Sequence, residues 1–150
     1  GFHGDAARTF PVGNVSEEAK RLMEVTKQCF FEGLKYAVPG NHIVDISRAI
    51  QKHAESNGYS VVKDYVGHGI GRQLWEAPQI PNYVTRQRGP RLVAGMTLAI
   101  EPMVNQGVFN VRLLDNKWTV VTADGKLSAH YENTIAITEG EPLILTKLKR

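Results

Sequence analysis

Met96-Thr97-Leu98-Ala99-Ile100-Glu101-Pro102-Met103-Val104 reads as a core strand with a carboxylate set into it. Side chains alternate across a strand, so Glu101 shares one face with Ala99 and Met103, while Leu98 and Ile100 take the other. An ionised carboxylate is costly to bury unless it is paired or metal-bound. The same conflict recurs in 127–138, a second apolar run, where Glu132 shares its face with His130 and Thr134. Taken singly, such a Glu is commonly paired to an Arg or faces water at an edge. Two of them in core-type strands mark where function overrides pattern.

Working outward, 117–122 reads as a further strand, joined to 127–138 by Ala123-Asp124-Gly125-Lys126. Asp-Gly between such runs is a hairpin signal. Upstream, 59–66 reads as a strand that delivers Gly67-His68-Gly69-Ile70-Gly71. Residues 72–94, rich in Pro, Gly, Arg and Gln, read as a long surface loop. Two helices come earlier. The first starts at Ser16 as N-cap, with Glu17 and Glu18 in its first turn and a stripe of Leu22, Val25, Cys29, Gly33 and Tyr36; Pro39-Gly40 ends it. The second runs over 43–57, with Ile43, Ile46, Ile50 and Ala54 on one face and Gly58 as its stop. Residues 1–12 read as the end of a strand or hairpin. Helices first and antiparallel strands later predict an α+β fold, with 1–150 as a single domain.

The composition is that of an ordinary globular protein: 150 residues, 42% hydrophobic and 22% charged. No apolar run approaches the roughly 18 residues that span a bilayer, and no signal-peptide pattern opens the chain. Cys29 is the only cysteine, so an internal disulfide is excluded and a reducing, cytoplasmic setting is expected. Net charge is +3. Arg86, Arg88 and Arg91 cluster, and Lys147, Lys149 and Arg150 close the sequence. Such charges form either a solvated face or a contact for an acidic partner, ribosomal RNA being the natural one.

His68 stands among three glycines, which let the backbone approach other groups closely and present a side chain. Lone histidines are often core residues, but with Asp5, Glu101 and Glu132 this one makes a set of oxygen and imidazole donors without thiolate. That set suits Mn²⁺, Fe²⁺, Co²⁺ or Zn²⁺ at a catalytic site. Several carboxylates around one His is what a two-metal hydrolytic centre needs. No Gly-x-Ser-x-Gly, Gly-x-Gly-x-x-Gly or P-loop pattern occurs. Cys29 lies in the helical stripe and reads as packing.

Four segments carry a family resemblance: Gly1-Phe2-His3-Gly4-Asp5, Gly67-His68-Gly69-Ile70-Gly71, Ala99-Ile100-Glu101-Pro102-Met103-Val104, and Trp118-Thr119-Val120 through Ser128-Ala129-His130-Tyr131-Glu132-Asn133-Thr134. In this order they resemble the C-terminal part of the type I methionine aminopeptidases of bacteria, over essentially all 150 residues. The resemblance implies a pita-bread fold, here a partial one: a curved antiparallel sheet covered by helices, from a family of two pseudo-symmetric halves. It implies a monomeric metalloprotease of the cytoplasm that removes the initiator Met from nascent peptides with a dinuclear centre of Co, Mn, Fe or Zn, with ribosome contact and neither membrane nor DNA as partner. Asp5 and Glu132 would bridge the ions, and His68 and Glu101 would complete one ligand set. Glu101 would also act in proton transfer, as the catalytic residue. Met103 and Trp118 would line the pocket for the substrate's methionine side chain. Trp75 stands where the family usually has a substrate-contacting His; an indole N–H donates only. Prolidase and aminopeptidase P use similar ligands but usually carry Arg two residues before the last Glu, at the position of His130.

The family has a further Asp ligand just upstream of the first motif, and a preceding half-domain. The first Met here is Met23. The expectation is therefore a C-terminal portion of a catalytic domain without its N-terminal half, with one tight ion, low stability and weak or no activity. The alternatives are another pita-bread peptidase, or a non-catalytic remnant acting as a binding module.

Overall fold

The computed structural model describes residues 1–147; Lys149 and Arg150 of the terminal basic group lie outside the described residues. Helix α1, Glu17–Leu34, starts where expected, with the Ser16 hydroxyl accepting the Ala19 N–H. It buries Leu22, Val25, Thr26, Cys29, Phe30 and Gly33, whose spacing of three and four keeps them on one face. Helix α2, Ile43–Ser56, is closed at its start by Asp45, whose carboxylate accepts the His42 N–H at 2.9 Å. It buries Ile43, Val44, Ile46, Ser47, Ile50 and Ala54. A Cβ on Gly33 would lie 2.8 Å from Cγ1 of buried Ile50, so glycine there lets α1 and α2 approach closely. Among the described residues no helix is long and apolar enough to cross a membrane.

The strands are β1 Ser60–Val61, β2 Gly67–Gly69, β3 Glu76–Ile80, β4 Thr97–Ile100, β5 Met103–Asn105, β6 Val111–Leu113, β7 Val120–Thr122, β8 Ser128–His130, β9 Asn133–Ala136 and β10 Leu143–Ile144. They form a five-stranded sheet in the order β10-β9-β4-β2-β3, a three-stranded sheet β1-β5-β8 and a ribbon β6-β7, with every pairing antiparallel. The core joins both helices to these sheets through Phe30, Ile46, Ile50, Leu98, Ile100, Val104 and Ile135. The α+β class holds.

Several expected boundaries change, and of the expected strand 59–66 only Ser60–Val61 is strand. The single strand 96–104 is two, β4 and β5, which belong to different sheets and part at Glu101-Pro102. The run 127–138 likewise divides into β8 and β9 at Tyr131-Glu132. Thus the two carboxylates that disagreed with their strands sit where each chain changes sheet. Second, Asp124-Gly125 does form a turn, with Gly125 at φ +73, but β7 pairs with β6 and not with β8. Third, the 72–94 stretch contains β3, an edge strand in which only Ile80 is buried. Its sequence, Glu-Ala-Pro-Gln-Ile, hides an edge strand because one covered face needs few apolar residues and Pro is tolerated at an edge. Fourth, residues 1–12 form no strand. They run beside β9, with Glu132 N–H donating to Ala7 O, Thr134 N–H to Asp5 O, and an isolated bridge between Arg8 and Tyr131.

Candidate metal centre

The paired segments 97–105 and 128–136 hold the site. Ile100 pairs with Asn133 and Met103 with His130, so the register is the same on both sides of the break. Glu101 therefore stands opposite Glu132. On the next strand His68 pairs with Ala99, which itself faces Thr134. The glycines around His68 allow this. A Cβ on Gly67 would lie 2.3 Å from Ala99 O, and one on Gly69 would lie 2.2 Å from Ala77 O. Only glycine lets β2 run between β4 and β3 at this spacing. Asp5 arrives from the N-terminal segment, tied to Thr134 twice: its N–H donates to Thr134 Oγ1 at 2.8 Å, and its carbonyl accepts the Thr134 hydroxyl at 2.9 Å.

The four expected ligands thus converge. His68 Nε2 is 3.5 Å from Glu101 Oε1 and 3.8 Å from Asp5 Oδ2. Ligand atoms of Asp5, His68 and Glu132 lie within 4.8 Å of one another, as do those of Glu101, His130 and Glu132. The Glu132 side chain is only 5% exposed, whereas Asp5 at 34% and His130 at 35% leave the cluster open at its edges. His68 Nδ1 lies 2.9 Å from Gly69 O. A carbonyl can only accept, so Nδ1 carries the proton and Nε2 presents its lone pair to the cluster. Metal-binding histidines are characteristically fixed in this way.

Three carboxylates share this space with little compensation. Burial, then the Glu132 and Asp5 charges, push Glu101 up to about 8. Burial and Asp5 push Glu132 up to about 7, against an opposing pull from Arg8. Burial lowers His130, against Asp5, so its imidazole tends to neutrality. The Arg8 guanidinium is committed elsewhere: it stacks on the Tyr131 ring at 4.0 Å and donates to the carbonyls of Ala7 and Glu132 and to Asn133 Oδ1. Glu132 Oε1 and His130 Nε2 are buried and have no hydrogen-bond partner. Crowded carboxylates, an unpartnered buried oxygen and a histidine fixed for ligation fit a divalent cation with oxygen and nitrogen ligands.

The pocket residues fall differently. Met103 is half-buried beside His130 through strand pairing. Trp75 is 74% exposed, one residue before the strand that pairs with β2, and Trp118 is 86% exposed in the turn between β6 and β7. His53 lies on α2 and belongs to neither donor group. His130 was not among the expected site residues, although its alternation with Glu132 along one strand was the available signal.

Comparison with known proteins follows this geometry. Residues 1–139 match Metallopeptidase family M24. The methionine aminopeptidase of Clostridium perfringens is 60% identical over 149 residues, which are 99% of this chain and 60% of that protein. Methionine aminopeptidase 1 of Bacillus subtilis is 54% identical over 148 residues, again 99% and 60%. The crystal structure of the Thermotoga maritima methionine aminopeptidase superposes with a TM-score of 0.95 at 49% identity, covering 98% of this chain and 59% of that one. Prolidase from Pyrococcus horikoshii gives a TM-score of 0.75 at 23% identity over 99% and 37%, a likeness of fold alone. The chain spans about 60% of the length of these curated relatives.

Proposed function

The chain belongs to metallopeptidase family M24, and from that premise we propose that it carries the catalytic metal centre of a methionyl aminopeptidase, which removes the N-terminal Met of nascent peptides in the cytoplasm. Relatives 60%, 58%, 54% and 51% identical are named methionine aminopeptidases, and the segments that would carry the ligands are all present in this sequence. The observation that carries the reading is the meeting of Asp5, His68, Glu101 and Glu132, with the Nε2 lone pair of His68 facing two carboxylates at 3.5 and 3.8 Å.

Asp5, His68, Glu101 and Glu132 would hold one divalent ion tightly, and Asp5 and Glu132 would be shared with a second. Bound there, such ions supply polarisation of the scissile carbonyl and activation of water. The chain's own residues do the rest. Glu101, set among the proposed ligands, would take a proton from the attacking water and return it to the leaving amine. Burial of Glu132 keeps bulk water from competing for its oxygens. The half-buried Met103 offers a soft apolar wall for a thioether side chain, and Trp75 and Trp118 would contact substrate through exposed indoles, Trp75 as a donor only.

The test is calorimetric titration of the chain with Mn²⁺ and Co²⁺, followed by Met-Ala-Ser and Ala-Pro hydrolysis assays of the loaded protein. Tight ion binding is expected, with any cleavage weak and confined to the Met peptide. Absence of ion binding, or preference for the prolyl peptide, overturns the proposal.

A further inference from the structure

Glu101 is bracketed by two imidazoles, one on each oxygen. Oε1 faces His68 Nε2 at 3.5 Å, and Oε2 faces His130 Nε2 at 3.7 Å. The two histidines are not equivalent. His68 has its Nδ1 proton directed at Gly69 O, so its neutral ring offers Nε2 as an acceptor, the form that binds a cation. No hydrogen bond of the His130 ring holds its Nδ1 in that way among the described residues, and its buried Nε2 has no partner. Histidines that bind metal almost always donate the other ring N–H to a carbonyl or carboxylate. His130 lacks that support, and the acceptors its Nε2 faces are Glu101 Oε2 and, at 4.0 Å, Glu132 Oε2.

Both side chains are mounted on fixed backbone. The His130 N–H donates to Thr9 Oγ1 at 2.9 Å, and its carbonyl accepts from the same hydroxyl at 3.1 Å. The Glu101 carbonyl accepts from Asn82 Nδ2 at 3.1 Å. A separation of 3.7 Å exceeds a hydrogen bond, but bonds at such sites are often long and tighten as the site is engaged.

We propose that His130 is a positioning residue: its Nε2–H donates to Glu101 Oε2 and leaves Oε1 alone presented towards His68. Glu101 then meets an ion through a single oxygen in a fixed orientation. The inference rests on the proposed metal centre for its catalytic consequence but not for the hydrogen bond itself.

The experiment compares the parent chain with His130→Leu and His130→Gln, since Gln restores a donor. Nitrogen-15 NMR of the ion-free parent should show His130 as the Nε2–H tautomer; an Nδ1–H tautomer overturns the inference, whether or not any ion binds. In the Co²⁺-loaded proteins, His130→Leu should keep the parent's ion count but change the visible absorption of the cobalt as Glu101 reorients. His130→Gln should restore the parent spectrum. Removal of such a supporting partner costs about 10–100-fold in ion affinity or turnover, and the loss is expected in kcat rather than KM. Loss of a whole ion in His130→Leu would make His130 a ligand and overturn the inference, as would a His130→Gln protein indistinguishable from His130→Leu. A parent that binds no ion would instead overturn the proposed metal centre, with the tautomer still decided by NMR.

Discussion

Glu132 differs from every other acidic side chain described in being almost wholly buried with one oxygen unpartnered. Its removal therefore takes away a proposed ligand without freeing a protein partner. Glu132→Ala and His68→Ala are each expected to weaken Mn²⁺ binding by at least about two orders of magnitude, because each deletes a direct donor rather than its support. His53→Ala, on α2 and outside both donor groups, should leave the titration unchanged. Equal losses in His53→Ala and His68→Ala would mean that the ligands are wrongly assigned. Much of this site was legible in the sequence. Glu101 and Glu132 betray themselves as charges in apolar runs, and His68 by its glycines. Asp5 was legible only as one more donor beside these, and its role as a bridging ligand came through the family resemblance. The face His130 shares with Glu132 was legible, but its approach to Glu101 was not, because that depends on pairing with Met103 and on Thr9, 121 residues away.

Elements position the cluster through close backbone spacing, and β2 is where that spacing is tightest. Gly67→Ala would set a methyl 2.3 Å from Ala99 O and 3.2 Å from Ile80 Cβ. Both are fixed parts of neighbouring strands, so β2 must shift and carry His68 with it. A loss of roughly 1–3 kcal/mol in stability is expected, as for an overpacked core, together with a loss of ion affinity. Gly4→Ala is the control: it adjoins Asp5, yet its methyl would meet only Thr146 Cγ2 at 3.6 Å, an ordinary contact. Thermal melts and Mn²⁺ titration of both variants check this; equal behaviour would show that the β2 spacing does not govern His68. Both helices were legible from stripes and caps. The sheet switches at Glu101-Pro102 and Tyr131-Glu132 were not, because the apolar pattern continues through each break and only pairing reveals two sheets. The β6-β7 hairpin was missed because its turn, Asp115-Asn116-Lys117, places a non-glycine residue at φ +58, where Asp-Gly elsewhere gave the stronger signal.

For the molecule as a whole, the crowded carboxylates tie stability to both pH and cation. In the ion-free chain Glu101 is raised to about 8 and Glu132 to about 7, both above the ordinary carboxylate value. Between about pH 4.5 and 8 the folded state thus binds more protons than the unfolded state, and stability must fall as pH rises through that window. Below the unfolded values both states are protonated and the penalty vanishes. A cation reverses the trend, because it binds the ionised carboxylates and stabilises only the folded form. Calorimetric melts in chelator should show Tm declining from pH 5 to pH 8.5, and the increase in Tm caused by saturating Mn²⁺ should widen over the same range. An ion-free Tm that climbs through this window would mean that the carboxylates are already compensated by the protein, and the case for a cation at their centre would fail with it.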